Sequence, residues 1–436
     1  MSNNLTKQES ETQRPEKWSW VDSQIWTTRM LTALGNGVKG NKWFSLWDKV
    51  KRINTLQAAW LQVRKNKGAS GVDKISIERF EANATHYLNE LSKALQQGTY
   101  QPQAVRRVHI PKERGKTRPL GIPTVKDRIV QTALCKVIEP IFENEFLDMS
   151  YGFRPQKGAK DALKEVDTLL TEGYVWVVDA DIQGYFDNIP QATLIERVEE
   201  HISDGKVLQL VKQFLKQPIM EELKSYVPTK GTPQGASISP LLANIYLHPL
   251  DKLVTESGHE MVRYADDFVI LCKTREEALK ALEQVSRWTQ ANGLTLHPDK
   301  THTGNCTETG QGFEFLGYRF EAGQRYVRKK SMKKLRDTIR SKTRRSRGDS
   351  ICRIIADVNR TLKGWFEYFK HARKSTFKAV DGFVRRRLRS ILRKQNKRSR
   401  GTGRNVLDHT RWPNMFFATH GLFTTEQAHR LACQSR

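Results

Sequence analysis

The sequence predicts an α+β domain followed by a basic bundle of helices. Between residues 105 and 320, short apolar runs alternate with helical patterns, and the string MVRYADDFVI at 261–270 predicts an antiparallel hairpin. Beyond residue 320, apolar residues recur at three- and four-residue steps, as they do on the buried face of a helix. Residues 325–404 also contain 29 Lys and Arg against 5 Asp and Glu. We therefore expect the other faces of these helices to bind phosphate groups.

The composition favours a polyanionic partner. The chain has 436 residues, and its 74 Lys and Arg exceed its 47 Asp and Glu by a net charge of +27. Its first residues are polar and no stretch reaches the length of a membrane span, so we expect a cytoplasmic protein with no membrane partner. The five cysteines never form a C-x-x-C pair, which argues against a disulfide framework and a zinc site.

The periodicity predicts the secondary-structure elements in order. Residues 1–40 are polar, and we expect them to be flexible. Helical spacing dominates residues 43–97 and is interrupted at 68–73 (GASGVD), which is either a mobile loop over the RNA or template or a simple turn. The other predicted elements are a strand at 105–110, helices at 126–148 and 158–171, a buried strand at 174–179, helices at 191–216 and 276–292, and amphipathic helices over 351–369 and 377–391.

Two adjacent aspartates interrupt the predicted hairpin. Asp266 and Asp267 lie in the string YADD, within a run that is otherwise apolar. Burying two neighbouring carboxylates costs free energy unless a positive charge compensates them, and a divalent metal is the strongest candidate. The alternative is an Asp-Asp turn whose side chains face water.

A third carboxylate favours the metal. Asp181 follows the buried strand YVWVVDA, and a strand end could direct it towards Asp266 and Asp267. Three such carboxylates can hold two Mg²⁺ ions about 3.5–4 Å apart, one lowering the pKa of an attacking hydroxyl and the other neutralising a leaving phosphate. Asp179 would share a face with Asp181 in a continuing strand and is a second choice. The pattern predicts phosphoryl transfer.

Ordered sequence blocks point to a known family. The chain contains in order RPLGIPTVKDRIVQ, YGFRPQKGAKDAL, DIQGYFDNI, TPQGASISPLLANIYL, RYADDFVIL, GLTLHPDKT, FEFLGY, LKGWFEYF and RWPNMFFATHGLFTTEQAHRLACQSR. From about residue 43 to the end it resembles a group II intron-encoded protein of the bacterial class C type, which is a reverse transcriptase with a maturase thumb. Because no C-x-x-C pair or histidine cluster follows the thumb, we expect the His-Cys endonuclease domain of some relatives to be missing.

The resemblance implies a right-hand polymerase fold. Fingers and a palm with an antiparallel sheet would precede an α-helical thumb and maturase bundle. The expected regions are a flexible segment at 1–40, an N-terminal extension with the start of the fingers at 41–104, fingers and palm at 105–320, and the thumb and maturase domain at 321–436.

The resemblance also implies roles for individual residues at the nucleotide site. The catalytic carboxylates would be Asp181, Asp266 and Asp267, and the metal ligands would be these three and Ile182. The expected nucleotide contacts are Lys112, Arg118, Phe186, Gln234 and Lys300. The ring of Phe186 would lie under the sugar and exclude a 2′-hydroxyl, with a plain core phenylalanine as the alternative. Gln234 could instead be an ordinary loop amide, and the three cations could be solvated.

Two further groups are expected after the palm. The resemblance implies a primer grip at Phe315, Leu316 and Gly317, which would also fit a strand entering a turn. The arginines expected to bind RNA are Arg385, Arg386, Arg387 and Arg393.

The resemblance implies an RNA-directed DNA polymerase that uses two Mg²⁺ ions, with Mn²⁺ as a possible substitute. Its expected partners are a structured intron RNA, whose splicing and mobility it would assist, an RNA template with a DNA primer, deoxynucleoside triphosphates and target DNA. It would act in the cytoplasm as a ribonucleoprotein. The alternatives are an RNA-binding maturase without polymerase activity, a reverse transcriptase of a defence or diversity-generating system, and an RNA-dependent RNA polymerase. The intact carboxylates argue against the first, the thumb and C-terminal block against the second, and Phe186 with the YADD hairpin against the third.

Overall fold

The computed structural model describes residues 16–111, 117–222, 224–396 and 407–434. Its helices are α1 Thr28–Asn36, α2 Trp47–Val50, α3 Ile53–Asn66, α4 Ile77–Ala82, α5 Ala84–Gln97, α6 Val125–Glu143, α7 Ala159–Thr171, α8 Tyr185–Asn188, α9 Gln191–Glu199, α10 Gly205–Leu215, α11 Ser239–Glu256, α12 Arg275–Ala291, α13 Lys329–Lys342, α14 Ile351–Phe369, α15 Lys374–Gln395, α16 Leu407–Arg411, α17 Asn414–Thr419 and α18 Thr425–Gln434. Short 3₁₀ turns lie at Glu16–Trp18 and Lys39–Asn41.

The strands are β1 Val105–Pro111, β2 Thr117–Ile122, β3 Trp176–Asp181, β4 Ile219–Glu221, β5 Lys224–Tyr226, β6 Glu260–Tyr264, β7 Asp267–Cys272, β8 His302–Asn305, β9 Phe313–Phe315, β10 Tyr318–Glu321 and β11 Gln324–Val327. They form three sheets with the orders β2-β1-β4-β5, β6-β7-β3-β8 and β11-β10-β9. This mixture of largely antiparallel sheets and helices, ending in a helical region, confirms the predicted fold class.

The chain divides into two compact units. The first contains residues 1–162, 180–268 and 280–301, and the second contains residues 163–179, 269–279 and 302–436. None of the helices in the described ranges combines the length and apolar character that crossing a membrane requires.

A sheet in the first unit lies beside the loop that carries Gln234. Strands β1 and β2 are antiparallel, with Arg106 opposite Ile122 and Pro111 opposite Thr117, while β1 pairs in parallel with β4. Most residues of α6 are buried, as expected for the central helix of a core. The main chain of Gly121 in β2 donates a hydrogen bond to the carbonyl oxygen of Gln234 at 2.6 Å, which fixes that loop against the sheet.

The N-terminal region of the first unit also contributes to its core. The side chain of Trp26 is fully buried, and its indole N–H donates to the carbonyl oxygen of Val137 in α6 at 3.1 Å. Its ring lies 5.2 Å from that of Trp43, centroid to centroid. Within the segment 1–40, this described part is therefore packed against α6.

In the second unit, amphipathic helices form a bundle. Its buried residues come from α13, α14 and α15 and from the segment after residue 407, as follows: Leu335, Ile339, Ile354, Ile355, Val358, Leu362, Val380, Val384, Leu388, Ile391, Leu392, Trp412, Phe417 and Leu422. These include most of the apolar positions of the two predicted amphipathic helices, which are confirmed as α14 and α15.

The other predicted elements are also confirmed, with shifted ends. The predicted helix at 126–148 is α6, which ends at Glu143, and the predicted helices over 191–216 are α9 and α10. The predicted strand at 174–179 is β3, which begins two residues later and includes Asp181. Tyr174 donates its N–H to the carbonyl oxygen of Leu169 at 3.1 Å, so this residue closes the end of α7 and does not enter the sheet.

Candidate active site

The YADD string forms a two-residue turn between β6 and β7. Ala265 and Asp266 are the turn residues, and Asp267 is the first residue of β7. Ala265 has a φ of 61°, in the left-handed region that non-glycine residues rarely adopt. Such a conformation costs about 1–3 kcal/mol and persists only where its surroundings fix it.

A fully buried arginine holds this turn from behind. The guanidinium of Arg263 donates from Nη1 to the carbonyl oxygen of Ala265 at 2.9 Å. Its Nε donates to Oδ1 of Asp251 at 2.7 Å, and Nη1 also donates to Oδ1 of Asn244 at 3.0 Å. The side chains of Arg263 and Asp251 are both 0% exposed. Burial raises the pKa of the Asp251 carboxyl, and the charge of Arg263 opposes that rise.

The main chain of a glycine also packs against the turn. A Cβ on Gly152 would lie 2.2 Å from the main-chain nitrogen of Ala265, far inside van der Waals contact. Asn244 donates from Nδ2 to the carbonyl oxygen of Gly152 at 2.8 Å. Arg263 and the main chain of Gly152 therefore both hold the turn, and Asn244 bonds to each of them.

Asp181 and Asp266 lie within electrostatic range of each other. Burial is the main cause that raises the pKa of Asp266, and the negative charge of Asp181 adds to it. The positive charges of Arg118 and Arg263 oppose this rise. Asp181 itself accepts a hydrogen bond from Nζ of Lys300 at 2.7 Å, with 41% of its side chain exposed. Asp181 thus already has the cation of Lys300 beside it, while Asp266 is half-buried.

The expected cluster of three carboxylates is not preformed. Among the described residues, no three His, Cys, Asp or Glu side chains form a group that could hold a metal ion. The donor types nevertheless fit a hard cation, because carboxylate oxygens are the ligands that Mg²⁺ prefers. Ile182 is 3% exposed and can offer only its main-chain carbonyl oxygen. The metal ligand set of Asp181, Ile182, Asp266 and Asp267 stays a prediction.

Asp179, the second choice, lies in the second unit. It stands opposite His302 in the antiparallel pairing of β3 and β8, and its carboxylate is 3.9 Å from Nε2 of that histidine. Only 15% of its side chain is exposed, against 41% for Asp181. The greater exposure of Asp181 favours this residue over Asp179 as the metal ligand.

Gln234 lies between an arginine and a carboxylate. Nε of Arg118 donates to Oε1 of Gln234 at 2.8 Å, and Nε2 of Gln234 donates to Oδ2 of Asp187 at 3.1 Å. Only this orientation of the amide satisfies both neighbours, because a guanidinium only donates and a carboxylate only accepts. Asp187 therefore determines which face of Gln234 meets Arg118. Sequence reasoning missed Asp187, although it lies in the same block as Asp181, in DIQGYFDNI.

The loop around Gln234 requires glycine. Gly235 has a φ of +107°, and a Cβ there would lie 2.4 Å from the carbonyl oxygen of Gly121. Glycine alone tolerates both the conformation and the approach.

Phe186 is 8% exposed and has an aromatic neighbour that the sequence analysis did not single out. Its ring contacts that of Phe153 edge to face, with centroids 6.5 Å apart. Phe153 is 50% exposed and has a φ of 60°. Phe153 lies in YGFRP, within one of the sequence blocks that carry the family resemblance, and its place in that block was the available signal. Lys112 lies outside the described residues.

The expected primer grip lies in the second unit. Leu316 and Gly317 form the turn between β9 and β10, with φ values of 47° and 87°. The hydroxyl of Tyr368 donates to the carbonyl oxygen of Leu316 at 2.8 Å, and Phe315 is fully buried. This tight hairpin matches the second sequence-based alternative, a strand entering a turn. The grip role stays a prediction.

The four predicted RNA-binding arginines separate into two pairs. Arg386 is exposed and Arg385 is half-exposed. Arg387 points inward and donates from Nη2 to the carbonyl oxygen of Thr343 at 2.6 Å, beyond the end of α13. Arg393 is 7% exposed and forms an ion pair with Asp408. The contacts of Arg387 and Arg393 are those of structural residues, so Arg385 and Arg386 are the better candidates for phosphate.

Comparison with known proteins agrees with these features. The family described as "Reverse transcriptase (RNA-dependent DNA polymerase)" matches residues 110–320, and the family described as "Group II intron, maturase-specific domain" matches residues 332–410.

Three relatives illustrate the similarity. Protein YkfC of Escherichia coli (strain K12) is 34% identical over 58% of this chain and 77% of its own length. Group II intron-encoded protein LtrA of Lactococcus lactis subsp. cremoris is 41% identical over 48% of this chain, but the match spans only 35% of that protein. The putative COX1/OXI3 intron 1 protein of Saccharomyces cerevisiae is 26% identical over 81% of this chain and 48% of its own length. The chain therefore belongs to the family of group II intron reverse transcriptases that carry a maturase-specific domain.

Proposed function

We propose that this chain copies RNA into DNA from deoxynucleoside triphosphates and a DNA primer, and that it also binds a structured intron RNA to assist splicing and mobility. The single observation that supports the polymerase role is the YADD turn itself, which Arg263 holds in a strained conformation with the half-buried Asp266 on it. In this assignment the fingers and palm occupy residues 105–320 and the thumb and maturase domain residues 321–436, close to the two family matches.

The carboxylates have a defined task in this reaction. Asp181, Asp266, Asp267 and the carbonyl oxygen of Ile182 would hold two Mg²⁺ ions, with Mn²⁺ as a substitute, which would activate the primer hydroxyl and neutralise the leaving phosphate. Arg263 and Gly152 fix the turn, so Asp266 meets the substrate without a search through other conformations.

The surrounding residues would bind the incoming nucleotide. Arg118 carries a charged fork suited to phosphate oxygens, and Gln234 orients that fork. Lys300 compensates the charge of Asp181 before the substrate binds and can then turn to the triphosphate. Phe186 would lie against the sugar and reject a 2′-hydroxyl.

The maturase role rests on the second unit. Its residues 325–404 contain 29 Lys and Arg against 5 Asp and Glu, which is most of the net positive charge of the chain, and structured RNA is recognised mainly through shape and phosphate contacts. We expect the protein to act in the cytoplasm as a ribonucleoprotein with its intron RNA and to meet target DNA in that form.

Primer extension on an RNA template tests the polymerase role. The wild-type chain with Mg²⁺ and deoxynucleotides should extend a DNA primer, whereas Asp266→Ala should abolish extension and keep nearly the wild-type affinity for RNA. Asp148→Ala is a matched control, because that carboxylate is fully exposed in the same unit. If the wild-type chain binds RNA tightly but never extends the primer, the polymerase assignment fails and a maturase without polymerase activity is the better account.

A further inference from the structure

Arginines are six of the thirteen residues that line a cleft of about 610 Å³ in the second unit. The residues that carry its charge are Arg336 and Arg340 from α13 and Arg385, Arg386, Arg389 and Arg393 from α15. The charge of Arg393 is paired with Asp408, and Arg389 is held by the carbonyl oxygen of Trp412 and by Oδ1 of Asn414, both at 2.9 Å. Four arginines remain to be explained, and three of them, Arg336, Arg340 and Arg386, share an aromatic neighbour.

These three arginines converge on one aromatic ring. The guanidinium carbons of Arg340 and Arg386 each lie 5.7 Å from the centroid of Phe383, and that of Arg336 lies 6.0 Å from it. All three side chains are exposed, and Phe383 is half-buried against the apolar core of the bundle. A phenyl ring attracts a guanidinium through its negative face, so Phe383 gathers cations that otherwise repel one another.

The gathered charges are poorly compensated by the protein itself. Among the described residues, no acidic side chain forms an ion pair with Arg336 or Arg386, and only Arg340 has such a partner, Asp337 at 2.6 Å. The neighbouring Arg387 shows the resulting repulsion, because the charges of Arg340, Arg345 and Arg386 add to burial in lowering its pKa. Such a cluster favours an anionic ligand.

Most hydrogen-bond donors of these arginines are available. Among the described residues, Arg336 and Arg386 donate no side-chain hydrogen bond, and Arg340 donates one, from Nη1 to Oδ1 of Asp337 at 2.6 Å. A guanidinium can donate in pairs to phosphate oxygens. Two of the arginines come from one face of α13, four residues apart, and the third from α15. Cations from two helices therefore line the same cleft.

We propose that this cleft binds the phosphate backbone of structured RNA, with Phe383 aligning Arg336, Arg340 and Arg386 for the contact. The proposal rests on the maturase role inferred above and deepens it, since it places an RNA contact on defined residues. Phe383 is a positioning residue in this account and carries no charge of its own.

Affinity for the intron RNA, measured by filter binding over a range of KCl concentrations, tests the site. Phe383→Leu keeps every charge and removes the ring; we expect about a tenfold loss of affinity, because three guanidinium groups lose their common aromatic partner. Phe383→Trp should restore binding. Phe416→Leu is the matched control, because Phe416 packs on the same core but its ring centroid lies 4.2 Å from that of His420.

A second variant tests the cleft without changing a residue that packs against the core of the bundle. Arg336→Gln combined with Arg386→Gln alters two exposed side chains only, and it should weaken RNA binding and reduce the slope of log affinity against log salt by about 2. A template–primer duplex of equal length should bind both variants as it binds the wild type.

The outcomes separate the two levels of the proposal. If both Phe383→Leu and the double arginine variant bind the intron RNA with wild-type affinity, the proposed RNA contact in the cleft is wrong, but the maturase role is not affected. The same follows if the variants lose as much affinity for the template–primer duplex as for the intron RNA. If the wild-type chain itself prefers no intron RNA over an unrelated RNA of the same length, the maturase role fails.

Discussion

The buried pair behind the YADD turn gives the sharpest test of how the active site is built. Arg263→Met replaces the arginine by an unbranched apolar side chain. It removes the guanidinium and leaves the carboxylate of Asp251 buried without its cation. It also removes the hydrogen bond to the carbonyl oxygen of Ala265. The substitution therefore affects both the stability of the fold and the shape of the turn.

The expected loss of stability is large. Removing one partner of a buried ion pair typically costs about 3–5 kcal/mol, and the whole free energy of unfolding of a domain is about 5–15 kcal/mol. The loss should be smaller at low pH. Burial already holds the pKa of Asp251 above its usual value, and without Arg263 it rises further. A carboxyl whose pKa is higher in the folded state destabilises that state as the pH rises from its unfolded pKa through its folded pKa.

The double variant Arg263→Met with Asp251→Leu separates the two effects. Replacing both charges by apolar side chains is often neutral for stability, so we expect most of the lost free energy of unfolding to return. The hydrogen bond to Ala265 does not return, and the turn keeps its strained residue. Misplacing a reacting group by about 1 Å costs about 100-fold in rate, so we expect kcat to stay 10- to 100-fold below the wild type.

Urea unfolding at pH 5 and pH 8 measures stability, and single-turnover primer extension measures the rate. The reasoning is wrong if Arg263→Met unfolds at the wild-type urea concentration, or if the double variant recovers both stability and full kcat. In the latter case Arg263 would only balance the charge of Asp251.

Other residues of the first unit give further predictions. Asp187→Asn lets the amide of Gln234 invert and present its NH₂ to Arg118, so the KM for deoxynucleotides should rise several-fold with little change in kcat; an unchanged KM contradicts the role of Asp187. Gly152→Ala should destabilise the fold by about 1–3 kcal/mol in urea unfolding, because its Cβ meets Ala265, whereas Gly205→Ala, which likewise has no positive φ but where a Cβ meets nothing, should not destabilise it. Burial raises the pKa of Glu139 to about 7, so wild-type stability should decline from pH 5 to pH 8; Glu139→Gln should flatten that decline, and an unchanged profile would refute the assignment.

The sequence predicts the strands, helices and turns of this site better than the side-chain contacts between them. Alternation and turn chemistry located the YADD hairpin, because those signals lie within ten residues. Asp251 lies in α11, whose sequence is mostly apolar, 12 residues before Arg263. No periodicity in the sequence indicates that this aspartate binds a buried guanidinium. The partners of Gln234 are 47 and 116 residues away, which only the folded chain reveals.

The arginines show the same limit. In the sequence, Arg386 and Arg387 are neighbours in a uniform basic run. Their roles differ because successive helical residues lie about 100° apart, so one reaches Phe383 and the other Thr343 beyond α13. Position on the helix, which charge counting ignores, separates exposed from structural arginines.

The most direct test of the central claim is the location of Mn²⁺ by anomalous scattering in crystals of the protein with an RNA template, a DNA primer and a non-reactive deoxynucleotide. Two peaks should appear, each bonded to carboxylate oxygens of Asp181 and Asp266, with Lys300 displaced from Asp181. Crystals in which the nucleotide is bound but Lys300 still pairs with Asp181, and no metal contacts either carboxylate, would contradict the account.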